Sequence, residues 1–212
     1  MKDIPAFLTS HGAASLTLRE IPYTRRAYIL LRSTQEPEAL LGECAAFCRE
    51  CGAEQIFAAG HPALEQYPLS TGMVVMRRQL KGLPETDALL FPVLPEMAER
   101  WRQIYNRRMA QIPNAAFLSR GDMDAAVKRG DGYFVHRDGA LLGIGKASGC
   151  VIDAVIAEKP GAGRDVLLAL TGVLTEDFAE LTVATANIRA VRLYESLGFL
   201  TVRELDPWYR IL

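Results

Sequence analysis

The sequence predicts an α/β protein built on a mixed sheet, and three observations predict it. Strand-like segments alternate with segments of helical periodicity along most of the 212 residues. Asp138-Gly139 separates two strand-like runs, the signal of a β-hairpin and so of antiparallel pairing. Cys150–Ala157 (CVIDAVIA) is almost continuously apolar and leads into a Gly-rich turn and a helical pattern. That is how an interior strand enters a crossover helix.

In the first part, Ser15–Ile21 alternates apolar and polar residues and Arg26–Arg32 is rich in β formers, so both read as strands. Glu36–Cys51 is dense in helix formers and stops at Gly52. Glu54–Ala59 reads as a strand, His61–Tyr67 as a short helix between Gly60 and Pro68, and Met73–Arg78 as another strand. Lys81-Gly82-Leu83-Pro84-Glu85 reads as a linker. The expected division is therefore 1–83, a β-β-α-β-α-β region, and 84–212, a larger domain.

The second part opens with the apolar run Ala88–Leu94, a strand. Pro95 suits the first position of a helix running to Met109, with Met97, Trp101, Ile104, Tyr105 and Met109 at helical spacing. Pro113-Asn114 breaks the pattern, and Ser119 or Asp122 caps a helix reaching Lys128. Tyr133–His136 and Ala140–Lys146 flank the hairpin turn, and Cys150–Ala157 follows. A helix over Arg164–Thr175, a strand Leu181–Thr185, a helix Ile188–Leu197 ending at Gly198, and a closing strand pair Phe199–Glu204 and Trp208–Leu212 complete the reading. Ile56–Tyr67 resembles Val183–Tyr194 in element order, which suggests that the first half copies part of the second.

Composition excludes several functions. The 24 Lys+Arg nearly balance 25 Asp+Glu, and no basic run offers a nucleic-acid surface. The first residues lack a signal-peptide layout, and the longest apolar stretches fall far short of the ~18 residues of a membrane span. A cytoplasmic protein follows as the expectation, and nothing opposes a homodimer. Cys44, Cys48 and Cys51 have the C-x3-C-x2-C spacing of a cluster motif. On a helix they share one face with Leu40, Leu41 and Phe47, so they read as small core residues and no metal is expected.

Asn187-Ile-Arg-Ala190-Val-Arg-Leu193-Tyr194-Glu-Ser-Leu197-Gly198-Phe199 follows a strand with the pattern N-x2-A-x2-L-Y-x3-G-F. Physics accounts for part of it. Asn187 is an N-cap, Ala190, Leu193, Tyr194 and Leu197 share one helix face, and Gly198 ends the helix. The segment also resembles the last motif of GNAT N-acetyltransferases. That resemblance implies that Asn187 lies along the pantetheine arm of acetyl-CoA and that Tyr194 protonates the leaving thiolate.

Val155-Ile156-Ala157-Glu158-Lys159-Pro160-Gly161-Ala162-Gly163-Arg164-Asp165 is a strand end, a Gly-rich turn and a helix start. Free N–H groups and the helix dipole there make an anion site. The segment resembles the GNAT phosphate loop, [QR]-x-x-G-x-[GA]. No Arg or Gln stands at the first position here, and Lys159 or Arg164 is expected to supply the charge. The resemblance spans roughly 84–212 and implies a GNAT acyl-CoA N-acyltransferase fold, preceded by a smaller part that repeats some of it.

The implied activity is acetyl transfer from acetyl-CoA to a primary amine by direct attack. Val155, Ile156, Ala157, Gly161, Ala162, Gly163, Arg164, Asp165, Asn187 and Tyr194 are the implied donor-binding residues, with Tyr194 as general acid and a backbone N–H of Ile152–Ala157 facing the acyl oxygen. Asp153 and Glu158 lie near the strand but read as ordinary polar residues, as do His61 and His136, and Cys150 is poorly placed for covalent transfer. Two alternatives have different consequences. One is a CoA-binding module without catalysis. The other is a nucleotide-binding α/β protein, disfavoured because no G-x-G-x-x-G or G-x4-G-K-[ST] follows a strand.

Overall fold

A computed structural model describes residues 2–112 and 114–212; Pro113, expected as a pattern breaker, lies outside them. No helix among the described residues is long and apolar enough to cross a membrane. The strands are β1 (Ile4–Thr9), β2 (Gly12–Thr17), β3 (Arg26–Thr34), β4 (Gln55–Ala59), β5 (Leu69–Gln79), β6 (Leu89–Pro92), β7 (Gly132–Arg137), β8 (Ala140–Ser148), β9 (Val151–Ala157), β10 (Phe178–Ala184) and β11 (Leu200–Arg210). The α-helices are α1 (Ile21–Thr24), α2 (Pro37–Glu50), α3 (Ala98–Met109), α4 (Arg120–Arg129), α5 (Gly163–Thr171) and α6 (Ile188–Ser196). Short 3-10 turns occupy Pro62–Gln66 and Pro95–Met97.

The chain forms two compact units, Met1–Met73 with Leu205–Leu212, and Val74–Glu204. This differs from the expected break at 83/84. The linker-like Lys81–Glu85 follows β5, and both β5 and β11 contribute residues to each unit.

In the first unit the strand order is β1-β2-β3-β4, followed by the end of β11, where Tyr209 and Arg210 pair with Ala58 and Phe57. β1–β2 and β2–β3 are antiparallel and β3–β4 is parallel, joined by the crossover helix α2. That parallel ladder is continuous, from Arg26↔Gln55 to Leu30↔Ala59. Leu40, Leu41, Cys44, Ala45 and Cys48 of α2 are buried against Ala14, Leu16, Ile29 and Ile56. The cysteines thus lie on a regular helix and its C-cap. Burial pushes the Cys44 thiol up to about 11 and the Cys48 thiol up to about 12.

The second unit runs from the start of β11 through β5-β10-β9-β8-β7-β6. β6–β7, β7–β8 and β8–β9 are antiparallel, and β9–β10 is parallel with α5 as its crossover. One face carries α5 and α6, with Val166, Leu167, Leu170, Val183, Tyr194 and Phe199 in its core. The other carries α3 and α4, with Trp101, Tyr105, Met123, Phe134, Ala154 and Ile156. The Ser119–Asp122 capping box starts α4 as predicted, with both residues taking part.

Each unit thus has an antiparallel run, of three strands in the first and four in the second, that ends in a parallel pair around a helix. This agrees in element order with the repeat suggested by the sequence.

Four expectations change. The segment read as a strand over Ser15–Ile21 is β2 up to Thr17, and Ile21-Pro22 opens α1 because proline fits a first helical turn. β1 (IPAFLT) is not anticipated, because Pro5 and the run of apolar residues after it give no apolar–polar alternation to read. α5 stops at Thr171, where Gly172 caps it, short of Thr175. The closing strand pair is one strand, β11: Pro207 lies between the two expected strands, and proline's fixed φ also suits extended backbone.

Candidate acyl-donor site

β9 and β10 start together and then part. Glu180 is in register with Val151, its N–H donating to the Cys150 carbonyl at 2.7 Å, and among the described residues no further register pair joins the two seven-residue strands. The parallel pair of the first unit is zipped over five residues, so the gap belongs to the second unit alone.

Backbone direction along β9 decides what lines the gap. The Glu158 N–H donates to the Leu142 carbonyl of the neighbouring β8 at 2.9 Å. Alternate residues of an antiparallel strand point their N–H groups the same way, so Ile156 and Ala154 also address β8. The Val155 and Ala157 N–H groups therefore face the β10 side. They are donors placed for an extended chain lying in the gap, and for an oxyanion beside it.

A β-bulge lies upstream. Lys146 pairs with Ala154 and Ala147 with Ile152, leaving Asp153 as the extra residue. The bulge switches faces: Ile152 packs with the α5 and α6 core, whereas Ala154 and Ile156 pack with α3 and α4. It also turns Asp153 out to Lys146, whose Nζ lies 2.6 Å away.

The Gly-rich turn is built as a helix entrance. Gly161 has φ +82°, a conformation that costs glycine little. α5 has Ala162 at its N-cap with no side-chain cap, and its first helical bond is Val166 N–H to the Ala162 carbonyl at 3.0 Å. The N–H groups of Gly163, Arg164 and Asp165 have no acceptor among the described residues, which is the arrangement an anion satisfies. Gly143 and Gly145 let the helix reach the sheet. A Cβ on Gly143 would meet the Ile156 carbonyl at 2.2 Å and Val166 Cγ2 at 2.8 Å, and one on Gly145 would meet Leu170 Cδ1 at 2.3 Å.

The predicted residues separate by role. Val155, Ala157, Ala162 and Tyr194 share one apolar cluster, whereas the Ile156 side chain is buried on the opposite face. A Cβ on Gly163 would lie 3.2 Å from Leu193 Cδ2, so the start of α5 adjoins α6. Arg164 is exposed. The Asp165 carboxylate is engaged by Arg137 Nη2 at 3.2 Å and the Thr86 hydroxyl at 3.3 Å, which leaves its backbone N–H as the contribution to an anion.

Asn187 caps α6, its Oδ1 accepting from the Ala190 N–H at 3.3 Å. Tyr194 is 8% exposed, packs on Phe199 with ring centroids 5.9 Å apart, and its pKa is pushed up to about 12 by burial. Its hydroxyl bonds to no group among the described residues.

The polar residues left as ordinary are structural. His61 Nδ1 accepts from the Ala63 N–H at 3.1 Å, and His136 stacks edge-on against Phe91. Glu158 takes Arg107 Nη2 at 2.6 Å and Arg108 Nε at 2.8 Å. Burial raises the Glu158 carboxyl, but hydrogen bonds and charge from Arg108 and Arg107 outweigh it and hold the group lowered. Sequence reasoning missed Arg107, Arg108 and the Gly143/Gly145 cradle. An Arg-Arg pair in the last turn of a helix and a G-x-G within a strand were the available signals.

The chain matches no family model and no curated protein in sequence. Its structure does match solved folds. A GCN5-related N-acetyltransferase from Sphaerobacter thermophilus superposes with TM-score 0.58 at 15% identity, covering 93% of this chain and 75% of that one. A tandem GNAT protein from the clavulanic acid biosynthesis pathway gives 0.57 at 14%, covering 94% and 78%. A GCN5-related N-acetyltransferase from Anabaena variabilis gives 0.57 at 10%, covering 94% and 59%. Together with the splayed β9–β10 pair and the Gly-rich helix entrance, these likenesses assign the chain by structure to the fold of the GNAT superfamily.

Proposed function

We propose that the protein is an acyltransferase that moves an acetyl group from acetyl-CoA to a primary amine. The observation that carries this reading is the gap itself: the parallel pair β9–β10 parts after Glu180↔Val151, beside an uncapped helix start. The local chemistry fits such a donor in three ways. Unpaired N–H groups at Gly163, Arg164 and Asp165 suit the pyrophosphate. The Val155 and Ala157 N–H groups suit the amides of the pantetheine arm. The apolar wall of Val155, Ala157, Leu193 and Tyr194 suits its thioester end.

The chain's contribution is chiefly positioning. The gap holds the thioester carbonyl against a β9 N–H, which stabilises the charge that develops as the amine attacks. Tyr194 stays protonated at neutral pH and donates to the sulfur as the carbon–sulfur bond breaks. Asp153 and Glu158 are both ion-paired, so the amine's proton passes to water. Those same pairings favour a second reading, a CoA-binding module without turnover.

Acetyl-CoA should raise the melting temperature, since a ligand that binds only the native state stabilises it. Release of free CoA thiol with a panel of primary amines would then separate the two readings. Thermal stabilisation without thiol release from any amine would leave the binding module, and no shift at millimolar acetyl-CoA would remove both.

A further inference from the structure

The turn assigned above to the donor's phosphates carries no net charge of its own, because the exposed Lys159 and Arg164 are offset by Glu158 and Asp165. It runs from Glu158 to Gly163, with the Glu158 carboxylate at its entrance and that of Asp165 just inside the helix. Counted back from Gly161 and Gly163, Glu158 holds the first position of the loop pattern, where Arg or Gln would stand, so the charge there is reversed. Asp165 shares Arg137 with Asp87.

Glu158 is met by two guanidinium groups from the last turn of α3. Arg107 Nη2 lies 2.6 Å from Oε2, Arg108 Nε lies 2.8 Å from Oε1, and Arg108 Nη2 donates to the Glu158 backbone carbonyl at 3.0 Å. Two cations on one carboxylate leave a single positive charge in excess at the entrance of the turn, supplied from another element. Basic residues also suit the C-terminal end of a helix dipole. That alone does not explain why both converge on the residue that opens the turn.

The two arginines are not equivalent. Arg108 holds both the side chain and the backbone of Glu158, so it fixes the path of the chain out of β9. Among the described residues Arg107 has one partner, and with a side chain 62% exposed it can exchange that partner without moving the backbone. A guanidinium also matches phosphate geometry with paired donors.

We propose that Arg107 and Arg108 form the cationic wall of the donor's pyrophosphate site, Arg108 as the residue that positions the turn and Arg107 as the cation that leaves Glu158 for a phosphate oxygen. The proposal rests on the reading that this turn receives CoA.

Free CoA is the probe, titrated calorimetrically into the full chain and its variants at low and high salt. Arg107→Ala should weaken binding about 10-fold at low salt, the loss expected from one charge-assisted contact, and by less at high salt, with Arg107→Lys recovering most of it. Glu158→Gln should weaken binding less than Arg107→Ala does, because the amide oxygen and the backbone carbonyl still accept from Arg108 while Arg107 is freed. A merely structural strut would behave differently, with Glu158→Gln weakening binding as much as Arg107→Ala. That result, or an Arg107→Ala protein that binds CoA like the parent, overturns the proposal while leaving the site intact. A parent protein that does not bind CoA overturns the reading of the turn and the proposal with it.

Discussion

Glu180 pairs with Val151 at the foot of two parallel strands, and among the described residues no further register pair joins them. The consequence is a set of backbone donors on β9 with no strand to receive them. Ala157→Pro removes one of these N–H groups while sparing those of Ile156 and Glu158, which address β8. Affinity for CoA should fall about 10-fold, the size of one lost hydrogen bond that leaves a partner unpaired. The melting temperature should move little, since a proline whose missing N–H faces open space spares the ladder. Calorimetric titration beside a melting curve checks both, and unchanged affinity would mean that the donor does not lie along β9.

Tyr194→Phe should lower the turnover number by about 10²-fold, the usual scale for a lost general acid, with the Michaelis constant for acetyl-CoA little changed. Because burial holds this phenol at about 12, the parent enzyme's rate should show no alkaline fall owed to Tyr194 below about pH 11. Steady-state rates from pH 7 to 11 decide it. A parent-like rate in the variant would leave Tyr194 as a core residue only.

Three raised pKa values predict alkaline instability of one sign. The Tyr194 phenol is pushed to about 12, the Cys44 thiol to about 11 and the Cys48 thiol to about 12, each mainly by burial. In the unfolded chain thiols ionise near ~8.5 and phenols near ~10. Above those values the unfolded state has lost protons that the native state keeps, so stability is complete below about pH 8.5 and declines toward pH 12. Denaturant midpoints measured from pH 7 to 11 should fall steadily above pH 9. A flat profile would contradict the burial of these groups.

The same burial should shield two cysteines from reagents. Iodoacetamide at pH 8 should label Cys51 and Cys150, which are partly exposed, and reach Cys44 and Cys48 only after denaturation. Peptide mapping by mass spectrometry reads this directly.

Gly143→Ala places a methyl group 2.2 Å from the Ile156 carbonyl and 2.8 Å from Val166 Cγ2. The first neighbour is backbone and cannot swing away, so overpacking should cost about 1–3 kcal/mol. For a chain of this size that lowers the melting temperature by roughly 2–4 °C per kcal/mol. The strand that yields is β9, so CoA affinity should fall with it. A variant with parent stability would show that α5 does not press on the sheet as closely as described.

Local information in the chain determined a good deal. Asn187 as the cap of α6, the Ser119–Asp122 capping box, the Asp138-Gly139 hairpin, the helical cysteines of α2 and the Gly-rich entrance to α5 each depend on a few neighbouring residues, and each lies where the sequence puts it. Tertiary structure alone decided where parallel strands separate. β3–β4 and β9–β10 look alike as strand–helix–strand segments, yet one ladder runs on and the other stops after a single pair. The bulge at Asp153, the contact of Gly143 with Ile156, and the meeting of Arg107 and Arg108 with Glu158 some 50 residues away have the same origin. Pairing partners, unlike caps and turns, are chosen by packing among distant segments, and short-range periodicity carries no record of that choice.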